Sequence, residues 1–209
     1  MRPHPDRRTV ALAAVLGGLL LGILDFVWIK FVPYPFANLG NSSAVWAVAA
    51  FAFGCWVRTG RVRAAIGAAV ALVVAVPGYY LAAALIQGDD WAVLWAPTSL
   101  LWMCFGILAG VVFGIGGGWA HDRGWRQVVG VALPGAVLFA EALIDARRVN
   151  HPSYGIDPLW DALIKATLGV LVVVVAGRGA RPRLLALATA LPLALAGFVA
   201  FRLAGFGTT

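Results

Sequence analysis

Charge is what this sequence has least of. Lysine, arginine, aspartate and glutamate make up 12% of its 209 residues, where a soluble domain carries about 25%. Hydrophobic residues make up 62% and the mean hydropathy is +0.89. A chain with so little polar surface does not cover a water-facing globule, so its solvent is lipid. Cysteine is nearly absent. Cys55 and Cys104 both fall inside apolar runs, which excludes a disulfide framework and reads as two small buried hydrophobes.

Histidine is as scarce. His4, His121 and His151 all lie outside the apolar runs, so a haem between membrane helices has no histidine ligand. No cysteine, histidine and acid set has metal-ligand spacing, and neither a metal site nor a cofactor is expected. The nucleotide loops GxxxxGK[ST] and GxGxxG are missing. "GDDW" holds a lone acidic pair, Asp89 and Asp90, too little for a magnesium-dependent diphosphate site. The net charge of +7 does not point to nucleic acid, because the basic residues stand between oily segments and form no patch on a polar module.

Long apolar runs are what the sequence does have. A helix needs about 20 apolar residues to cross roughly 30 Å of hydrocarbon. Seven segments meet or approach that length: 9–30, 43–58, 63–87, 91–118, 127–146, 158–177 and 183–204. The first has no small-residue cleavage site behind it and reads as a spanning helix rather than a signal peptide. The second begins in the Asn41–Ser43 turn, and Pro97 is placed to bend the fourth. The expectation is an all-α, polytopic membrane bundle of seven transmembrane helices forming a single domain over 1–209.

Basic residues orient it. Arg2, Arg7, Arg8, Arg58, Arg61, Arg63, Arg123, Arg126, Arg178, Arg181 and Arg183 fall on one side, and Lys30, Arg147, Arg148, Lys165 and Arg202 on the other. The positive-inside rule then puts the N-terminus in the cytoplasm and the C-terminus outside, as in a multi-pass protein. The acids run the opposite way. Asp6 and Asp122 are on the basic side, while Asp25, Asp89, Asp90, Glu141, Asp145, Asp157 and Asp161 gather in the outer half or beyond it.

Two patterns concern packing. Gly106, Gly110, Gly114 and Gly118 recur every four residues, a stripe that lets helix backbones approach closely. It serves packing inside the monomer, or a homo-oligomer or other helix partner. Ala14, Gly18 and Gly22 give the first helix a similar face. Pro77, Pro134 and Pro192 interrupt the third, fifth and seventh helices, where a lost hydrogen bond can bend the axis and open a cavity.

The candidate chemistry lies in the outer half. Charges inside a membrane cost about 2.5–3.5 kcal/mol each on insertion scales, and face a cavity or a partner. Asp25, Glu141, Asp145, Asp161 and Lys165 fall within roughly the outer 10 Å by helical rise, together with Tyr79, Tyr80 and several tryptophans. Lys165 is one turn from Asp161 and reads as its snorkelling ion-pair partner. Asp25 and Glu141 have no cation one turn away, so they are the first choice for acid–base work, with Asp161 third. Asp157 followed by Pro158 reads as the N-cap and first turn of the sixth helix.

The run from Phe36 to Leu85, "FANLGNSSAVWAVAAFAFGCWVRTGRVRAAIGAAVALVVAVPGYYLAAAL", resembles a family of small bacterial integral membrane proteins of unknown function. The shared features are an "ANS…W…AF..G" start to the second helix, an Arg-rich turn, "GYYLA", a glycine-rich fourth helix like "GVVFGIGGGWA", and "AEAL" at Ala140–Leu143. The resemblance spans about residues 10–146. It implies a multi-helix fold in a bacterial cytoplasmic membrane with no assigned activity, and marks Asn41, Ser42, Trp46, Tyr79, Tyr80 and Glu141 as recurring positions.

Three functions follow. In the first, a metal-independent membrane enzyme similar in logic to small integral-membrane terpene cyclases, Glu141, Asp25 or Asp161 moves protons on an isoprenoid or lipid-like substrate. Tyr79, Tyr80, Trp46, Asn41, Ser42, Asp145 and Lys165 would bind it, the aromatics stabilising positive charge. In the second, a transporter or substrate-capturing component, the same charges take a polar solute or a proton. The third is an accessory subunit joined through the glycine stripe.

Overall fold

The computed structural model describes residues 5–58 and 60–203; Arg2, His4 and Ala204, the last residue of the expected seventh segment, lie outside the described residues. Among those described are seven α-helices: α1 (Arg7–Phe31), α2 (Ser43–Val57), α3 (Arg61–Gln87), α4 (Pro97–Trp119), α5 (Trp125–Ala146), α6 (Asp157–Ala176) and α7 (Ala180–Leu203). Six are long and apolar enough to cross a membrane, and α2, with 15 residues, is a shorter apolar helix. The molecule is an all-α, multi-pass membrane protein. Its distribution of residues is that of a lipid-solvated bundle: Leu12, Leu16, Leu108 and Val175 are exposed, while the interior is mostly alanine and glycine. Small residues win those positions because helices in lipid are held by close backbone packing rather than by hydrophobic exclusion.

Several local readings are corrected. Pro97 does not bend a long fourth helix; it begins α4, behind a separate 3₁₀ turn at Trp91–Trp95. Asp90 caps that turn by accepting from the Ala92 amide at 2.9 Å, and the Ser99 hydroxyl donates back to the Val93 carbonyl at 2.6 Å. Pro77, Pro134 and Pro192 lie inside α3, α5 and α7, each of which continues through its proline as one helix. Ile156, not Asp157, is the N-cap of α6, and Asp157 is its first helical residue, where the helix dipole favours an acid. Cys104 is exposed on α4 and Cys55 is only partly buried.

The chain divides into two compact units, Met1–Gly118 and Trp119–Thr209. In the first, α1 and α3 run parallel: Val10 clusters with Ala64, Gly18 faces Ala71, Gly22 faces Ala75 and Phe26 clusters with Ala82. A side chain at Gly18 or Gly22 would collide with the backbone of α3, so glycine is what permits this approach. Because α1 and α3 are parallel, the intervening chain returns from the end of α1 to the start of α3, and α2 makes that return. Its Ser42 cap, accepting from the Val45 amide at 3.4 Å, is near the end of α1, and Val57 packs against Val10. The glycine stripe of α4 then closes on α3 in antiparallel register, Gly106 against Leu72, Gly110 against Ala69 and Gly114 against Ala64. The helix that fills this stripe is α3 of the same chain, and only Gly118 faces open space.

In the second unit α5 packs on both α6 and α7. Gly135 faces Val173 and Gly169 faces Phe139, an antiparallel register between α5 and α6 that carries Lys165 to the level of Glu141 and Asp145.

Candidate functional site

The first unit contains a cavity of about 210 Å³ built around Asp25. Its position follows from the glycine contacts. Gly22 brings α1 against Ala75, so Asp25, one turn further along, reaches Tyr79, one turn beyond Ala75. The Trp28 indole donates to the Phe36 carbonyl at 2.8 Å and folds the 3₁₀ turn Phe36–Leu39 back over the helix end. Gly40 is then pressed against the Asp25 turn, and Asn41 and Ser42 become part of the cavity wall. Trp46, one turn into α2, hydrogen-bonds the Asp25 side chain, which is 9% exposed. Tyr79 stacks edge-on against Phe26 at 5.3 Å and Tyr80 at 5.4 Å, forming the aromatic side.

Six residues singled out in the sequence thus meet in one cavity: Asp25, Asn41, Ser42, Trp46, Tyr79 and Tyr80. The remaining wall was missed. Trp102, Phe105, Gly106 and Ala109 of α4 line it too. The signal was in the sequence, because these residues follow the i, i+3, i+4, i+7 spacing of one helix face, the face that carries the first glycine of the stripe. Gly106 lets α4 approach Leu72, and the two large rings beside it project past α3 into the space.

The other expected site residues belong to the second unit. Glu141 and Asp145, four apart on α5, share a face. The Lys165 ammonium of α6 donates to Asp145 Oδ2 at 2.7 Å and lies 3.3 Å from Glu141 Oε2. All three are buried, at 7–8% exposure. The expected Asp161–Lys165 pair is corrected accordingly: Lys165 is held across the helix interface by α5. Asp161 is half-buried and close enough to act electrostatically on Asp145. In the loop that follows α5, Arg148 lies 5.7 Å over the Tyr154 ring and Arg147 is 5.6 Å over Phe198.

The two sites differ in chemical character. At Lys165 the charges are closed upon one another, as buried ions must be in lipid. Around Asp25, a carboxyl with an indole N–H partner faces a mainly aromatic space with hydroxyl and amide groups at one edge. That combination offers a proton, hydrogen bonds for a polar head, and ring faces that stabilise a cation.

Helices, composition and the intramembrane charges define the class as a polytopic helical membrane protein. Within it, the family is shown by a match over residues 1–206 to a family of unknown function, DUF6518, and the chain belongs to that family. The match extends past residue 146 and takes in the segment with Asp161 and Lys165. No curated protein and no solved structure matches the chain.

Proposed function

We propose that the protein is a membrane-embedded enzyme that captures the unsaturated end of an isoprenoid- or lipid-like amphiphile in the Asp25 cavity, with Asp25 as its proton donor and acceptor. The observation that carries this reading is the Asp25 carboxyl of α1, backed by an indole, inside an aromatic wall made by α2, α3 and α4 of one unit. At about 30 Å³ per water-sized group, 210 Å³ accepts about seven such groups. That is a terminal prenyl-sized segment, with the rest of the amphiphile left in the bilayer. Asp25 would give its proton to an alkene carbon, the tertiary cation formed would rest against Tyr79, Trp46 and Trp102, and the carboxylate would take a proton from a neighbouring carbon. The product is an isomerised alkene and the carboxyl is restored, with no metal in the step.

The cycle needs one carboxyl only, which suits a cavity whose described lining holds one, Asp25. Seven crossings, with α2 as the short one, a cytoplasmic N-terminus and a bacterial cytoplasmic membrane belong to the same proposal. The parallel course of α1 and α3 and the arginine distribution support it. For transport of a polar solute, the lining of this cavity is too aromatic.

Capture is tested by tryptophan emission, since Trp46 and Trp102 line the cavity. Farnesol added to the protein in lipid nanodiscs is expected to shift the emission saturably. Ala109→Phe, which fills the cavity, should abolish the saturable part. A linear response shared by both proteins would mean partition into lipid only and would end the reading.

A further inference from the structure

A second recess, of about 530 Å³, runs along α1 and α3 at the end of the first unit where both helices begin. We propose that it holds one anionic phospholipid, an acyl chain lying in the recess and the phosphate between Arg7 and Arg63. The wall is made of Val10, Ala11, Ala14 and Val15 of α1 and of Val62, Ile66, Gly67 and Val70 of α3, with Arg7 and Arg63 as its charged lining residues. Small residues create the depth. Ala11 and Ala14 leave space between the exposed branched side chains of Val15, Ile66 and Val70. By the same measure of about 30 Å³ per water-sized group, the recess takes about eighteen, the size of one acyl chain.

The charge at its mouth selects the head group. Among the described residues no acidic one lines the recess, and the nearby Asp6 carboxylate accepts from the Thr9 amide at 2.7 Å, capping α1. Arg63 is partly buried and tied to the Pro5 carbonyl at 3.4 Å, so its guanidinium is held beside the start of α1. Because α1 and α3 are parallel, the positive ends of both helix dipoles meet here, and the N-cap of α3 is Gly60, which has no side chain to cap it. A phosphate therefore finds two guanidinium groups and the positive ends of two helix dipoles directly above a groove of acyl width. A zwitterionic head adds a choline cation that gains nothing from this setting.

The test uses native mass spectrometry of the full chain exchanged into mixed phosphatidylglycerol and phosphatidylcholine of matched acyl chains. Retention of one phosphatidylglycerol is expected, preferred by about thirtyfold for two arginines near the surface. Arg7→Gln with Arg63→Gln should lower the preference to near unity. Arg8→Gln, outside the recess, should leave it intact. Ala11→Phe, which fills the groove and keeps both arginines, should remove the retained lipid. Equal retention of the two lipids by the wild type would overturn the proposal, as would an undiminished preference in the double variant. Full retention by Ala11→Phe would do so as well.

Discussion

Replacing Lys165 with methionine keeps the length of the side chain and removes the charge, leaving Glu141 and Asp145 buried together on α5. The structure allows the size of the effect to be bracketed. Lys165 makes a 2.7 Å hydrogen bond to Asp145 and a 3.3 Å ion pair to Glu141. Polar contacts between membrane helices average about 0.6 kcal/mol in double-mutant cycles, so two of them give a floor of about 1 kcal/mol. Removing one partner of a buried ion pair costs about 3–5 kcal/mol because the other charge is stranded. Two facing carboxylates belong nearer the upper figure, softened by protonation of one of them. We expect a loss of about 2–4 kcal/mol, or roughly thirtyfold to a thousandfold in the unfolding constant. The assay is SDS-driven unfolding in mixed micelles followed by far-UV circular dichroism. Adding Glu141→Gln and Asp145→Asn to Lys165→Met should restore most of the loss, since an uncharged, well-packed interface no longer strands a carboxylate. Lys30→Met, whose ammonium meets exposed Gln87 at 3.3 Å, should change stability by less than about 0.5 kcal/mol. A Lys165→Met protein as stable as the wild type, or a triple variant no better than the single one, would refute the reasoning.

Three further outcomes are expected. Gly22→Leu should destabilise the first unit by at least about 1–3 kcal/mol, since its side chain meets the α3 backbone; the same SDS titration reads it. Gly118→Ala, facing open space, should be within about 0.5 kcal/mol of wild type, while Gly110→Ala, facing the Ala69 backbone, should fall well below it. The Asp6 carboxyl is held below its ordinary value of 3.8 by its hydrogen bonds to Thr9. A depressed carboxylate stabilises above its unfolded pKa and loses that contribution as pH falls through the folded value. Fraying of the α1 start, read by hydrogen exchange at the Thr9 amide, should therefore grow only as pH drops below 3.8.

The helices were legible in the sequence because lipid demands long apolar runs, and six of the seven segments became helices that meet that demand. The ends were read less well. Pro97 sits as naturally at a helix start as in a bend, and only the cap of the preceding turn by Asp90 separates the two cases. Part of the Asp25 cavity was legible because Asp25 is a charge inside hydrocarbon and the family resemblance marks Asn41, Ser42, Trp46, Tyr79 and Tyr80 as recurring positions. Trp102 and Phe105 were passed over because aromatic residues in a membrane helix are ordinary, and it is the glycine beside them that turns them inward. The partner of Lys165 was misread for a related reason. Helical spacing shows neighbours within one helix, such as Asp161, while the register that brings Asp145 to Lys165 depends on Gly135 and Gly169 letting α5 and α6 close.

The central claim is that Asp25 exchanges a proton with an unsaturated guest, and deuterium uptake measures that directly. Nanodisc-embedded protein incubated with farnesol in heavy water should place deuterium on carbon at the guest's alkene end, read by mass spectrometry of the extracted lipid. Asp25→Asn should reduce the uptake to the protein-free level, while Glu141→Gln should leave it unchanged. No carbon-bound deuterium above the protein-free level in the wild type, or equal uptake in Asp25→Asn, would contradict the account.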